Sequence, residues 1–380
     1  MKSPSFSVLI PDGESDFALF VIHGFIDFPQ VKLYVLSNRR WAPARLSRYC
    51  HKHIVRVRES STDVDGRFSA IADIVKHNHI DVILPVELEW IAPRDAERQA
   101  LAELAAMVPV LDSKTFAMAN NKWLLYKLMQ EHGIPSPPTV LCTLDGDFER
   151  QIHDLEFPVL IKPVTAWGGE GIQRFDDISQ LQEFLDQCDS ETIKDRYIVQ
   201  SFLTGYVVGL NILCQEGQLL AHTMQRGFIP NPQKYAAAAA IQFVTREDAL
   251  EVGVRLASVL KYNGVANVDM FYDTRDNQVK VLELNTRFWG SLRGSYVAGV
   301  KFPYLACLAG LGIPFPVPDY ELARYIHPKT ALKEGIRRSL GRSQYERFPL
   351  DETGLRYMLA DPIAETLRAF RQQFSADRWQ

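Results

Sequence analysis

The chain has 380 residues, 47% hydrophobic and 23% charged, with a net charge of −4 and a pI near 6.2. That length supports two or three packed units, and the charge lacks the basic excess of a nucleic-acid-binding domain. No stretch reaches the ~18 apolar residues of a membrane span, the apolar run within residues 1–10 is too short for a signal peptide, and five scattered cysteines without a CxxC pair point to reduced thiols in a cytoplasmic setting.

Strand patterns at 6–10, 31–36, 53–57 and 81–86 alternate with helical ones at 15–27, 66–78 and 94–107. Such alternation predicts a parallel sheet with helices on both faces over residues 1–118. Ligands of these sheets sit beyond the carboxyl ends of the strands, so Pro11-Asp-Gly13 and Pro85-Val-Glu-Leu-Glu89 are candidate substrate loops, with Glu87 as a candidate contact. The bland alternative for Glu87 is a solvated loop residue or a helix cap.

A helix over about 121–132 breaks at Gly133-Ile-Pro-Ser-Pro-Pro138. Then comes Phe157-Pro-Val-Leu-Ile-Lys-Pro163, an apolar strand that delivers Lys162 at its end, followed by Gly168, Gly169 and Gly171. Glycines allow positive φ and leave backbone N–H groups uncovered, as a phosphate-wrapping loop requires. Neither GxxxxGK[ST] nor GxGxxG is present.

Further strands are expected at 197–203, 206–214 and 219–225, a helix at 246–262, and strands at 265–272 and 279–284 joined by the turn Thr274-Arg-Asp-Asn-Gln278. Residues two apart in a strand share a face, so Glu283 and Asn285 project together. The hairpin sets Asp269 opposite Glu283 to within one residue of register. Facing carboxylates repel unless a hard divalent cation lies between them, which makes Asp269, Glu283 and Asn285 a candidate metal clamp for a nucleotide. A helix over about 295–311 follows, and beyond 318 come helices of mixed charge, including 361–374.

Taken together, Asn121-Lys122, Lys162-Pro163, Gly168-Gly-Glu-Gly171, Gln200-Ser-Phe-Leu203, Asp269 and Glu283-Leu-Asn-Thr-Arg287 resemble, in order and spacing over 120–312, the ATP-grasp superfamily and its carboxylate–amine ligase and carbamoyl-phosphate-synthase-like branch. The resemblance implies an α/β and α+β protein: a Rossmann-like parallel α/β domain at 1–118, an ATP-grasp fold of two α+β subdomains at 119–318 with a lid at about 137–195, and a helical extension at 319–380 packed on it. The cofactors implied are ATP and Mg²⁺, as one or two ions, with Mn²⁺ as a substitute.

It also implies roles. Lys122 and Lys162 hold phosphates, and Gln200, Ser201, Phe202 and Leu203 form the hinge whose backbone meets the adenine edge. Leu160 and Phe271 sandwich the base, with plain core positions as the alternative. Arg287 and Arg293 stabilise a transferring phosphoryl group and a carboxylate, and Arg226 contacts the acceptor. Relatives place an acidic residue after the hinge for the ribose, whereas this chain has no Asp or Glu between Asp195 and Glu216, so either Asn211 substitutes or the ribose is held less tightly. The run Ala236-Ala-Ala-Ala-Ala240 stands in a loop that commonly carries hydrogen-bonding side chains.

The implied reaction is ADP-forming ligation of a small-molecule carboxylate to an amine or thiol through an acyl phosphate. The alternatives are a kinase or carboxylase on the same scaffold, or an ATP-binding partner protein without turnover. No nucleic-acid or membrane partner is expected, and the oligomeric state is left open, a dimer being one form.

Overall fold

The computed structural model describes residues 3–56, 64–166, 168–232 and 234–376. The first sheet is built on the apolar strands β1 (Ser7–Ile10), β2 (Lys32–Ser37) and β4 (Val82–Ile83), flanked by the edge strands β3 (Cys50–Val55) and β5 (Ala106–Met107). All neighbours are parallel, in the order β3-β2-β1-β4-β5. The strand order therefore reverses between β1 and β4, the place where such sheets open a ligand crevice. Helices α1 (Ala18–His23), α2 (Val64–Asn78) and α3 (Asp95–Ala102) connect these strands, and α4 (Ser113–Asn120) and α5 (Lys122–Glu131) lead onward.

The second sheet holds β6 (Thr139–Leu141), β7 (Val159–Pro163), β8 (Gln173–Phe175) and β9 (Tyr197–Ser201), ordered β6-β9-β7-β8, with α6 (Gly146–His153), α7 (Ile178–Gln187) and α8 (Ser190–Ile193). It has its own core around Val159, Ile161, Phe148, Leu181 and Val199. In β7 those positions alternate with Leu160 and Lys162, which face the other way.

The third sheet, β14-β13-β10-β11-β12-β15, is antiparallel and six-stranded. Its strands are β10 (Gly205–Gln215), β11 (Gln218–Ile229), β12 (Ala240–Phe243), β13 (Gly264–Asp273), β14 (Gln278–Asn285) and β15 (Arg324–Ile326). One face, with Val208, Leu210, Ile212, Val268 and Met270, packs against α5 and α9 (Glu247–Val259). The other changes character along its strands. Leu213, Ala221 and Val265 join the core of the first sheet, while Asn211, Thr223, Asn267 and Asp269 occupy the polar end.

The remaining helices are α10 (Leu292–Val297), α11 (Phe302–Gly310), α12 (Pro328–Ser339), α13 (Leu355–Ala360) and α14 (Pro362–Ala376). Several expectations change in detail. The helix over 94–107 stops at Ala102, because Ala106 and Met107 pair with Val82 and Ile83 as β5. The helix over 295–311 is two, divided at Gly299, whose φ is +98°. The 15–27 helix contracts to α1, and residue 57 of the expected third strand lies outside the described residues. The segment beyond 318 adds an edge strand to the third sheet as well as helices. Among the described residues no helix is long and apolar enough to cross a membrane.

Candidate active site

The β13–β14 hairpin brings the acidic residues together. Asp269 pairs with Glu283 and Asn267 with Asn285, and a bulge at Asp269/Met270 separates this end from the rest of the ladder. Asn285 Nδ2 donates to Asp269 Oδ2 at 3.2 Å and to Glu283 Oε1 at 3.3 Å. Burial, then the Glu283 charge, push the Asp269 carboxyl up to about 8. Although burial also opposes charge on Glu283, Lys122 holds it below the usual carboxylate value.

These residues fit a divalent cation. Two carboxylates forced together in one site are relieved by a cation between them. Turning the Asn285 amide over, an assignment fixed only by hydrogen bonding, sends its oxygen to the same point. Among the described residues no three His, Cys, Asp or Glu side chains gather to hold a metal. The third protein ligand here is an amide, which leaves the rest of the shell to phosphate and water oxygens.

Both predicted lysines converge on this clamp. Asn121 caps α5, accepting from the Trp123 and Leu124 amides at 3.0 Å each, and so sets Lys122 in the first turn. Lys122 Nζ lies 3.1 Å from Glu283 Oε2 and also donates to the Ala166 carbonyl. Lys162 comes from β7, only 7% exposed, and donates to Gln200 Oε1 at 2.7 Å. Burial lowers its pKa to about 8, against the raising influence of Glu283 and Asp269. Glu283 and Asp269 act electrostatically on Lys162, which shares its strand face with Leu160.

The three glycines occupy the loop between β7 and β8 with φ of +71°, +82° and +70° at Gly168, Gly169 and Gly171. A Cβ on Gly169 would come 2.8 Å from the Tyr235 carbonyl oxygen, and one on Gly171 would come 2.8 Å from Pro163 Cγ. The loop tip thus rests on the backbone beside the alanine run.

The hinge differs from expectation. Gln200 points its side chain inward, gripping Lys162 and donating Nε2 to Thr139 Oγ1 at 2.9 Å. The Ser201 and Phe202 amides already donate to the Pro138 and Pro158 carbonyls, and the Phe202 ring lies under Arg174. Leu203 is the hinge residue whose amide those bonds leave out.

Three further expectations are corrected. Asn211 is completely buried, and its amide is consumed: Nδ2 donates to Thr223 at 3.1 Å and Oδ1 accepts from Asn267 at 3.1 Å. It belongs to a polar ladder across β11, β10, β13 and β14, so it cannot reach a ribose. Arg226 follows Gln225, which faces Gly209 and through it Asp269. Strand alternation sends Arg226 to the opposite face, where it lies over the Tyr206 ring. Arg293 is 1% exposed and paired with Glu365 and His23 in the interior, which leaves it no path to a substrate.

Sequence reasoning missed Gln225. It shares the face of Asp269 and exchanges hydrogen bonds with Ser291 at 2.8 and 3.1 Å. The signal was available in the alternation of β11, but charge drew attention to its neighbour.

Arg287 stands between the clamp and the first sheet. Its charge lowers the pKa of both Asp269 and Glu87, and its guanidinium lies 4.8 Å over the Phe17 ring. Glu87 is half-buried, which raises its pKa, and it accepts from Ser15 Oγ at 2.5 Å. Asp12 shapes this loop by accepting from the Val86 and Glu87 amides and from Trp90 Nε1. Both loops lie at the β1/β4 reversal, so Glu87 is neither a solvated residue nor a helix cap.

Part of the chain matches a known family. Residues 119–291 match the family described as ATP-grasp domain. The chain is 29% identical to the vancomycin C-type resistance protein VanC1 of Enterococcus gallinarum over 62% of this chain and 70% of that protein. It is 26% identical to the D-aspartate ligase of Enterococcus faecium over 50% of this chain and 49% of that one, so it spans about half of that relative's length. Among solved structures, N5-carboxyaminoimidazole synthetase from Staphylococcus aureus complexed with ADP aligns with a TM-score of 0.66 at 16% identity, covering 91% of each chain. The biotin carboxylase domain of Hydrogenobacter thermophilus 2-oxoglutarate carboxylase, in complex with MgADP, aligns at 0.65 with 15% identity over 84% and 73%. Residues 119–291, just under half of the chain, are thus similar to an ATP-grasp domain.

Proposed function

We propose that this chain is an ATP-dependent, ADP-forming ligase that joins a small-molecule carboxylate to an amine through an acyl phosphate. The observation that carries the reading is the convergence of Lys122, Lys162 and Asn285 on the facing carboxylates of Asp269 and Glu283. When bound, Mg²⁺ would neutralise and orient phosphate oxygens at Asp269, Glu283 and Asn285.

Lys122 and Lys162 then hold the phosphates as point charges, Gln200 fixes the Lys162 ammonium, and the glycine loop supplies backbone N–H groups. Leu203 meets the base edge between Leu160 and Phe271. A substrate carboxylate held near Arg287 attacks the γ-phosphorus, the bond to the β-phosphate oxygen breaks, and ADP leaves. Attack by the amine on the acyl carbon then expels phosphate and yields the amide. Arg287, with planar donors between Asp269 and Glu87, is placed to hold the oxyanions of that sequence, while Gln225 and Ser291 line the same face. A lid over about 137–195 would exclude water from the acyl phosphate. The names of the relatives, among them D-aspartate ligase and D-alanine–D-alanine ligase, support carboxylate and amine substrates. The free thiols at Cys50, Cys142, Cys188, Cys214 and Cys307 accord with a reducing, cytoplasmic setting.

The test is ADP release screened over amino acids and other acids, singly and in pairs with amines, with mass spectrometry of any product. ADP release that requires both an acid and an amine, with the condensed product detected, is the expected result. A phosphorylated end product without condensation would overturn it in favour of a kinase.

A further inference from the structure

Behind Arg287 lies a set of buried charges that the proposed chemistry does not use. Glu365, on α14, is 1% exposed and binds two arginines: Arg293 of α10, and Arg368 at 3.0 and 3.2 Å. Burial opposes its charge, yet Arg293 and Arg368 hold the carboxyl down at about 2. His23 of α1 closes the set, accepting from Arg293 at Nδ1 (2.9 Å) and donating from Nε2 to Asp361 (3.2 Å).

Burying several charges is costly unless each is matched, and removing one partner strands the other. Such a node holds its elements in one arrangement, here the C-terminal helix against α1 and α10.

The node is continuous with the active site. The Arg293 and Arg368 guanidinium groups lie 4.1 and 5.0 Å from the centre of the Phe20 ring. Phe20 meets Phe17 edge-on at 6.1 Å, and Phe17 is the ring beneath the Arg287 guanidinium at 4.8 Å. Cations over aromatic faces prefer a defined position, so each contact constrains the next. Helix α10, which carries Arg293, also begins five residues after Arg287, itself two residues past the end of β14, and Tyr357 of α13 stacks on His23 at 5.5 Å.

We propose that Glu365 is a positioning residue for Arg287: through Arg293, Arg368 and the Phe20–Phe17 ring pair, it sets where the Arg287 guanidinium stands. The C-terminal helix is then a working part of the active site. The kinetic form of this inference rests on the ligase reading, whereas its structural form does not. A contiguous contact chain acquires meaning only from measured coupling, so the test measures coupling in the full-length protein.

Glu365→Gln keeps the shape of the side chain and removes its charge. Phe20→Leu cuts the link and leaves every charge in place, and it serves where Glu365→Gln fails to fold. In either variant, hydrogen exchange at the 287–292 amides is expected to accelerate about tenfold or more, with 160–163 unchanged. With an acid–amine pair from the ADP-release screen, Phe17→Leu and Glu365→Gln should each lower kcat/KM for the acid about tenfold while KM for ATP stays put. The double variant should be no worse than the poorer single one, rather than about a hundredfold impaired. Unchanged exchange at 287–292, or effects that multiply, would overturn the proposal and leave Glu365 as a stabilising contact alone. If wild-type protein releases ADP with no pair, the ligase reading fails while the exchange experiment still decides this one.

Discussion

Lys122 Nζ lies 3.1 Å from Glu283 Oε2, so the residue that opens α5 and the central carboxylate of the hairpin neutralise each other. Unit charges about 4 Å apart in such partly screened surroundings interact by roughly 4 kcal/mol. Binding Mg-ATP must exchange this pair for contacts of at least equal strength, Glu283 to the cation and Lys122 to phosphate. Glu283→Gln should accordingly retain measurable ATP binding while turnover falls about a hundredfold or more, since the amide keeps an oxygen but loses the charge that holds the cation. Steady-state ADP release at modest Mg²⁺ checks this, and wild-type turnover would remove the clamp from the account.

Lys162→Ala should weaken ATP by roughly 2–3 kcal/mol, the range for truncating a charged, enclosed hydrogen-bonding group. Affinity for the acceptor should change far less. Titration calorimetry with a non-hydrolysable ATP analogue measures the loss, and an unchanged affinity would mean that the lysine serves Gln200 and not the nucleotide.

Gly169→Ala combines two penalties, a φ of +82° and a Cβ 2.8 Å from the Tyr235 carbonyl. Left-handed backbone costs a residue with Cβ roughly 1–2 kcal/mol, so nucleotide affinity should fall about tenfold. Gly168→Ala, whose Cβ enters open space, should fall less. The ordering of the two variants in an ATP-analogue titration is the discriminating result.

His23 accepts from Arg293 through Nδ1, which requires the neutral ring, and burial with the Arg293 charge depresses its pKa from 6.5 to about 4. A depressed histidine contributes stability above its unfolded pKa that is lost as pH falls through the folded value. Between pH 6.5 and 4 the loss is on the order of 3 kcal/mol. Denaturant unfolding of His23→Gln should therefore show a flatter decline over that interval than wild type. An identical slope would mean that the ring is not held neutral.

Much of this site was legible because strand alternation is strict. A turn at 274–278 and apolar positions spaced by two were enough to face Asp269 with Glu283, and the register is that pairing. Asn211 and Arg226 were misread because chemistry was judged without the face. One is buried in a ladder, the other turned away, and Gln225 beside it faces the site. Arg293 follows the metal strand as Arg287 does, but its partner Glu365 is 72 residues further on, a distance no local pattern bridges. Strands such as β5, β8 and β15 have two or three residues, too few for a period to show.

The central claim is that γ-phosphate passes to a substrate carboxylate before the amine attacks. Its most direct test is ADP release with the acid labelled with ¹⁸O in its carboxyl group, followed by mass spectrometry of the phosphate released. Transfer of one ¹⁸O atom into phosphate, dependent on the amine and abolished in Glu283→Gln, is the result predicted. Phosphate free of label, with ADP formed and the acid consumed, would contradict the acyl phosphate and the account built on it.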